Sequence, residues 1–234
     1  MSKEDQAKLR IIVPGTMILL SVLLLVIPLL FSQYNLTFDS IISSLGTLGA
    51  IVSLIVSVVF IRFVIPVLGA LYQIARIRGR LLRKSQRQID ENIKRRLLSL
   101  YESDLTIAEN ADWLSQGRRL LNVFYDFIDN KQSLKERAKG VYLNGLYWSS
   151  AADLTAISSL TAIVCLGIYL LNQRVYYLVF CGLCLLTGLL SWLFIPMLAR
   201  RHIKLGNEQI EFIQDLHGTE LQSRLITLAE SRER

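Results

Sequence analysis

Four long apolar runs, at 9–31, 41–61, 154–171 and 175–199, interrupt the polar positions of this chain. Each is close to the roughly 20 residues that a helix needs to cross a hydrocarbon layer about 30 Å thick. The apolar residues fill blocks, and a backbone inside lipid must satisfy its hydrogen bonds within its own segment. The pattern therefore predicts an all-α, polytopic membrane protein with four transmembrane helices.

The connections between these runs are short within each pair. About nine polar residues, 32–40, join the first two runs, and a tight turn at 172–174 joins the last two. Short connections favour antiparallel neighbours, so we expect two helical hairpins. The predicted domains are a first hairpin at 1–75, a basic helical segment at 76–153, a second hairpin at 154–199 and a C-terminal helix at 200–234.

The polar segments carry apolar residues at helical spacing, which predicts an all-helical region outside the membrane. One helix should continue the second span through 76–101, and another should occupy 106–129. Thr106 and Glu109 have the spacing of a capping box for that second helix. A third helix should begin near Ser133 and run into the third span, and the amphipathic tail should extend the fourth span.

Positive charge is distributed unevenly along the chain. The sequence has 26 Lys and Arg against 19 Asp and Glu, and ten of the basic residues lie between Arg62 and Arg96. Only Arg174 falls in a segment that would be external. The positive-inside rule then places both termini in the cytoplasm, with a bacterial inner membrane as the expected location.

Small residues recur every three or four positions in the predicted second span, with weaker series in the third and fourth. Such series let helix backbones approach closely in lipid. Three interpretations stay open: packing within one chain, a seam between protomers of a homo-oligomer, or a hydroxyl-lined pore. The residues of this predicted packing or pore seam are Ser43, Gly46, Ala50, Ser53, Ser57, Ser158, Ala162 and Gly188.

Arg62 is the only charged residue in the apolar stretch 41–75. Its side chain can reach the inner headgroups, or it can lie inside the bilayer with a functional role. Asp153 lies at the matching end of the third span. We therefore predict an ion pair between Arg62 and Asp153 at the membrane interface.

A strongly basic series follows the second span. Its position next to the membrane predicts attraction to anionic lipids, with an acidic protein partner or nucleic acid as the less favoured alternatives. The residues of this predicted basic patch are Arg76, Arg78, Arg80, Arg83, Lys84, Arg87, Lys94, Arg95 and Arg96.

Catalytic and metal-binding motifs are absent from the sequence. Cys181 and Cys184 form a C-x-x-C, but they lie inside a predicted span. They are interpreted as small residues at a packing seam, with a metal or redox pair as the alternative. We expect a protein that is not an enzyme and has no cofactor and no bound metal.

The order of spans and polar segments resembles that of bacterial flagellar stator proteins, and of small membrane effectors of bacterial defence. The resemblance concerns layout and assigns no family. The leading hypothesis is a homo-oligomeric membrane protein whose cytoplasmic helices bind a protein partner or signal. Its membrane part would act as a pore or membrane-perturbing effector, with anti-phage defence as one setting. The alternatives are a membrane scaffold and a small transporter or stator-like subunit.

Overall fold

A computed structural model gives the structure of residues 3–34 and 60–232. Helices take up 92% of these residues, and none of them lies in a β-strand. The predicted all-α class is therefore confirmed. In chain order the elements are α1 (Lys3–Tyr34), a π-helical turn (Phe60–Val64), α2 (Ile65–Ile74), α3 (Ile77–Leu100), α4 (Leu105–Glu109), α5 (Ala111–Ser115), α6 (Arg119–Asn130), α7 (Gln132–Asn172) and α8 (Val175–Glu230).

Three of the described helices are long and apolar enough to cross a membrane: α1 at Ala7–Pro28, α7 and α8. A shorter apolar helix covers Arg62–Ile74. These segments indicate a membrane protein. Nearly all of the predicted second span lies outside the described residues, and so do its seam residues Ser43, Gly46, Ala50, Ser53 and Ser57.

The chain divides into two compact units. We call residues 2–81 with 149–195 the apolar unit, and residues 82–148 with 196–234 the amphipathic unit. The unit borders lie at 81/82, 148/149 and 195/196, where the sequence suggested 75/76, 153/154 and 199/200. Helices α3, α7 and α8 each contribute residues to both units.

In the apolar unit, α1 and α2 approach so closely that their backbones touch. A Cβ added at Gly15 would overlap the carbonyl oxygen of Ile65, and one added at Gly69 would overlap that of Ile11. Only glycine leaves room for two helix backbones at this separation. These two glycines therefore fix the crossing of α1 and α2.

The same unit packs α7 against α8 through small residues. A Cβ added at Gly188 would lie 3.4 Å from Ser159 Oγ and 3.6 Å from the Ser158 Cβ. Further along, Ala162 and Cys165 of α7 are buried in one cluster with Tyr177 of α8. Small side chains thus set the contact between these helices, while most of their large apolar side chains are exposed.

The amphipathic unit has a core of branched and aromatic side chains. Its α3 buries one face, at Ile89, Ile93 and Leu97, as expected from the helical spacing of those residues. The other helices of the unit complete the core. Its most deeply buried members include Ile107, Leu114, Leu120, Phe127, Leu134, Ile210, Ile213, Leu221 and Leu225.

The prediction of one helix over 106–129 is wrong, because the chain there forms α4, α5 and α6. Gly117 has a φ of +61°, a left-handed conformation that ends the helical run. The predicted capping box is also replaced. The Asp104 carboxylate caps α4 by accepting from the backbone N–H groups of Thr106 at 3.1 Å and Ile107 at 3.3 Å.

The predicted extensions of the third and fourth spans are confirmed, since α7 begins at Gln132 and α8 continues to Glu230. Non-helical backbone angles at His217 kink α8. The Tyr101 hydroxyl donates to the Gly218 carbonyl oxygen at 2.9 Å beside this kink. The expected continuation from α2 into α3 is interrupted at Ala75 and Arg76, where Arg76 has a φ of +52°.

Candidate functional site: a buried arginine–aspartate pair

The most distinctive polar group of the apolar unit is the Asp153 carboxylate on α7. Its side chain is 1% exposed, and it accepts two hydrogen bonds from Arg78 of α3. Arg78 Nε lies 2.7 Å from Asp153 Oδ1, and an Arg78 terminal nitrogen lies 2.5 Å from Oδ2. This bidentate geometry is the strongest arrangement of an arginine with a carboxylate.

Hydrogen bonds around this pair also involve α1 and α2. The same Arg78 guanidinium donates to the main-chain carbonyl oxygen of Arg10 at 2.9 Å, and the Gln73 amide donates to that oxygen at 2.8 Å. Tyr72 is buried beside the pair and packs with Ala156. Its hydroxyl lies near the Asp153 carboxylate, although by distance and angle it hydrogen-bonds to no described residue. Four helices therefore meet at one polar network.

Burial makes this network costly to open. Removing two charges from water carries a large desolvation penalty, which their attraction offsets only when both stay paired. An unpaired Arg78 or Asp153 would keep the penalty without the compensation. Separating the two charged groups would therefore cost substantial free energy.

The partner of Asp153 differs from the one that the sequence suggested. The structure pairs Asp153 with Arg78, which follows α2 in the chain. Arg62 is exposed and lies in the π-helical turn that precedes α2. Sixteen residues separate the two arginines, a rise of up to roughly 24 Å in a helix. Arg62 is therefore too far along the chain to replace Arg78, and the predicted Arg62–Asp153 pair is corrected.

Three predicted seam residues are described. Ser158 and Gly188 are brought together where α7 meets α8, and Ala162 is buried one turn further along α7. Cys181 and Cys165 lie in the same buried cluster as Ala162, with Cys184 packed against it. This packing environment agrees with the interpretation of the C-x-x-C as small residues at a contact between helices.

The predicted basic patch separates into paired and exposed members. Lys94 donates to the Ser115 carbonyl oxygen at 2.7 Å, and Arg96 pairs with Glu211 at 3.0 Å. Arg87 pairs with Glu91 one helical turn away, at 2.7 Å, and both side chains are largely exposed. The remaining exposed members are Arg76, Arg80, Arg83, Lys84 and Arg95.

Sequence reasoning missed Arg10, Tyr72 and Gln73, whose contribution depends on helices that are distant in the chain. One signal could have indicated the pair. Asp153 is the only acidic residue between Glu136 and Glu208. If its carboxylate is buried, it needs a cation from another helix. The spacing of Arg76, Arg78 and Arg80 does not by itself show which of them faces that carboxylate.

The amphipathic unit has polar contacts that act at its surface. A hydrogen bond from Gln222 lowers the pKa of Asp104. A hydrogen bond from Lys131, at 2.8 Å, lowers the pKa of Glu220 in the same way. Burial raises the pKa of Tyr125 and of Tyr101. The carboxylates of Asp104 and Glu220 are therefore stabilised in their charged forms.

Within residues 3–34 and 60–232, no group of three His, Cys, Asp or Glu side chains is arranged to hold a metal ion. No protein-family model, no curated protein and no solved structure matches this chain. The functional proposal consequently rests on the residues of the chain itself.

Proposed function

We propose that the chain is a non-enzymatic integral membrane protein that forms a homo-oligomer and responds to a partner bound by its amphipathic unit. In this proposal four spans form two hairpins in a bacterial inner membrane, with both termini in the cytoplasm. The membrane part acts as a regulated pore or membrane-perturbing effector. Defence against phage is a setting in which such an effector would be useful.

The observation that carries the proposal is the sharing of helices between the two units. Helix α7 covers Gln132–Asn172 and α8 covers Val175–Glu230, so each has residues in the amphipathic unit and in the apolar unit. The axial hydrogen bonds make an uninterrupted helix stiff, and α7 contains no proline. In α8, Pro196 lacks the N–H group for one of these bonds, so α7 is the stiffer of the two connections. Partner binding at one unit can therefore bias the arrangement of the other.

The Arg78–Asp153 network supplies the element that such a bias would act on. It joins α3 to α7 and fixes the main chain of α1 through the Arg10 carbonyl oxygen. A switch needs two discrete states rather than a continuous deformation. In the proposed mechanism the paired network is the closed state, and its separation allows the apolar helices to rearrange into a conducting state.

Ion flux from liposomes tests this proposal, with variants in place of the unidentified trigger. Asp153→Asn removes the charge that pairs with Arg78, so liposomes that contain this variant should release an encapsulated ion faster than those with the wild-type protein. Glu91→Gln is the matched control, because it removes a carboxylate from an exposed arginine pair. Light scattering of the purified proteins gives the oligomeric state in the same preparations.

A folded Asp153→Asn protein that leaks no faster than Glu91→Gln would contradict the pore. Circular dichroism and gel filtration establish that the variant is folded. A scaffold that only recruits a cytoplasmic protein gives that silent result, and a monomer by light scattering would contradict the homo-oligomer.

A further inference from the structure

The apolar unit ends in an excess of positive charge. From residue 76 to residue 81 the chain has three arginines and no acidic residue. On α1, the basic Lys8 and Arg10 belong to a segment that also contains Asp5, and all three residues are exposed. Asp153 neutralises only one of these cations, because its two oxygens are both taken by Arg78.

Arg10 is held in place by its main chain, and the residue is exposed. Its carbonyl oxygen accepts from Gln73 and from Arg78, so the position of its backbone is fixed from two helices. The bond from Arg78 to this carbonyl oxygen brings a second cation next to residue 10, and its like charge repels the Arg10 guanidinium. A second anion beside Arg10 would relieve that repulsion.

Exposed apolar side chains lie at the end of α2 that bonds the Arg10 main chain. Ile74, next to Gln73, is 75% exposed on α2. Leu71, one helical turn before the end of α2, is also exposed. A ligand that matches this surface has an anionic end and an apolar body, which describes a phospholipid and excludes a small, fully hydrated anion as the best fit.

The geometry points to a binding site for an anionic phospholipid, in which Arg10 binds the phosphate and the acyl chains cover Leu71 and Ile74. Arginine suits this role because its planar guanidinium can donate two parallel hydrogen bonds to phosphate oxygens. Arg78 keeps its bonds to Asp153 and only adds to the local positive potential. The lipid would lie at the end of α2 that contacts Arg10, independently of whether the protein conducts ions.

Native mass spectrometry of the full chain tests the site. The protein is exchanged into detergent with phosphatidylglycerol or phosphatidylcholine, and the lipid that remains bound is counted over a titration. Arg10→Gln should bind phosphatidylglycerol about fivefold more weakly, the effect expected for one nearby basic residue. It retains the main-chain carbonyl oxygen that Gln73 and Arg78 use, so the fold should survive.

Two variants and one soluble competitor complete the test. Arg10→Lys keeps the charge but loses the paired donors, so its affinity should lie between those of Arg10→Gln and the wild type. Arg174→Gln, which removes an exposed arginine at the opposite end of the apolar unit, should not change the affinity. Equal binding of the two lipids, or an Arg10→Gln protein with wild-type affinity, would overturn the site. Displacement of the lipid by millimolar inorganic phosphate would also overturn the assignment to a phospholipid.

Discussion

The two units of this molecule bury different kinds of side chain. The apolar unit exposes large residues such as Leu189 and Val179, while its helix contacts use Gly15, Gly69 and Gly188. The amphipathic unit does the opposite, with leucine, isoleucine and phenylalanine inside and charged residues outside. Charge follows the same division, because the apolar unit buries its Arg78–Asp153 pair whereas the pairs of the amphipathic unit are at its surface.

This difference reflects the solvent around each unit in the proposed placement. Burying apolar surface stabilises a fold in water, but it gives little advantage where the surroundings are themselves hydrocarbon. In lipid, close contact between backbones and buried polar pairs become the main sources of specificity. Substitutions of the same chemical kind should therefore have different effects in the two units.

The largest effect should come from Asp153→Asn, which leaves Arg78 without its charged partner. Breaking a buried pair typically costs about 3–5 kcal/mol of unfolding free energy. The exposed pair gives the comparison, because Glu91→Gln should cost less than about 0.5 kcal/mol. Unfolding by a denaturing detergent, followed by circular dichroism, measures both. Equal losses of unfolding free energy for the two variants would contradict the larger contribution of the buried pair.

A leucine truncation should distinguish the two units next. Leu120 is completely buried in the amphipathic unit, so Leu120→Ala should cost about 2–5 kcal/mol through lost burial and a cavity. Leu189 is 53% exposed in the apolar unit, and Leu189→Ala should change the unfolding free energy by less than about 0.5 kcal/mol. A larger loss of unfolding free energy for Leu189→Ala than for Leu120→Ala in lipid micelles would contradict this comparison.

A glycine substitution in the apolar unit should have a somewhat smaller effect. Gly69→Ala places a Cβ against the Ile11 carbonyl oxygen, and overpacking of this kind typically costs about 1–3 kcal/mol. Gly182→Ala is the control, because a Cβ there meets nothing within 4 Å. The same detergent titration measures both proteins, and a Gly69→Ala variant as stable as Gly182→Ala would contradict the close crossing of α1 and α2.

The smallest effect should be the acid sensitivity of the amphipathic unit. The pKa values of Asp104 and Glu220 are lowered by Gln222 and Lys131, so their contribution is present above the ordinary carboxyl pKa values. It is lost as the pH falls through the lower values of the folded protein. Gln222→Ala should therefore reduce the fall in melting temperature on acidification, whereas the exposed Gln214→Ala should not. If the melting temperature of Gln222→Ala falls on acidification as much as that of the wild type, this role of the hydrogen bond is refuted.

Much of the fold could be predicted because it follows from local periodicity. The helical character of the chain, the start of α7 near Gln132 and the long α8 all follow from hydrophobic blocks and amphipathic spacing. The division of 106–129 into three short helices could not be predicted in the same way. It depends on the left-handed Gly117 and on Asp104 as a cap, two features that interrupt an otherwise acceptable helical pattern.

The candidate site was harder to predict, because its members come from four helices. Sequence patterns identified Asp153 as one end of an ion pair, yet the choice between Arg62 and Arg78 depends on how α2, α3 and α7 pack. The contribution of Arg10 comes from its main-chain oxygen, which every residue has and no side-chain pattern reveals. The two glycines that bring α1 and α2 together are far apart in sequence, at positions 15 and 69.

The central claim is that the apolar unit lies in lipid and the amphipathic unit in water. Labelling of single cysteines with a charged, membrane-impermeant maleimide tests it, after Cys165, Cys181 and Cys184 are replaced by alanine. In inverted vesicles Ser223→Cys should react readily, because Ser223 is exposed on the amphipathic unit. Leu189→Cys should react only after the membrane is dissolved, in inverted and right-side-out vesicles alike. Reaction of Leu189→Cys in intact vesicles at the rate of Ser223→Cys would contradict the account.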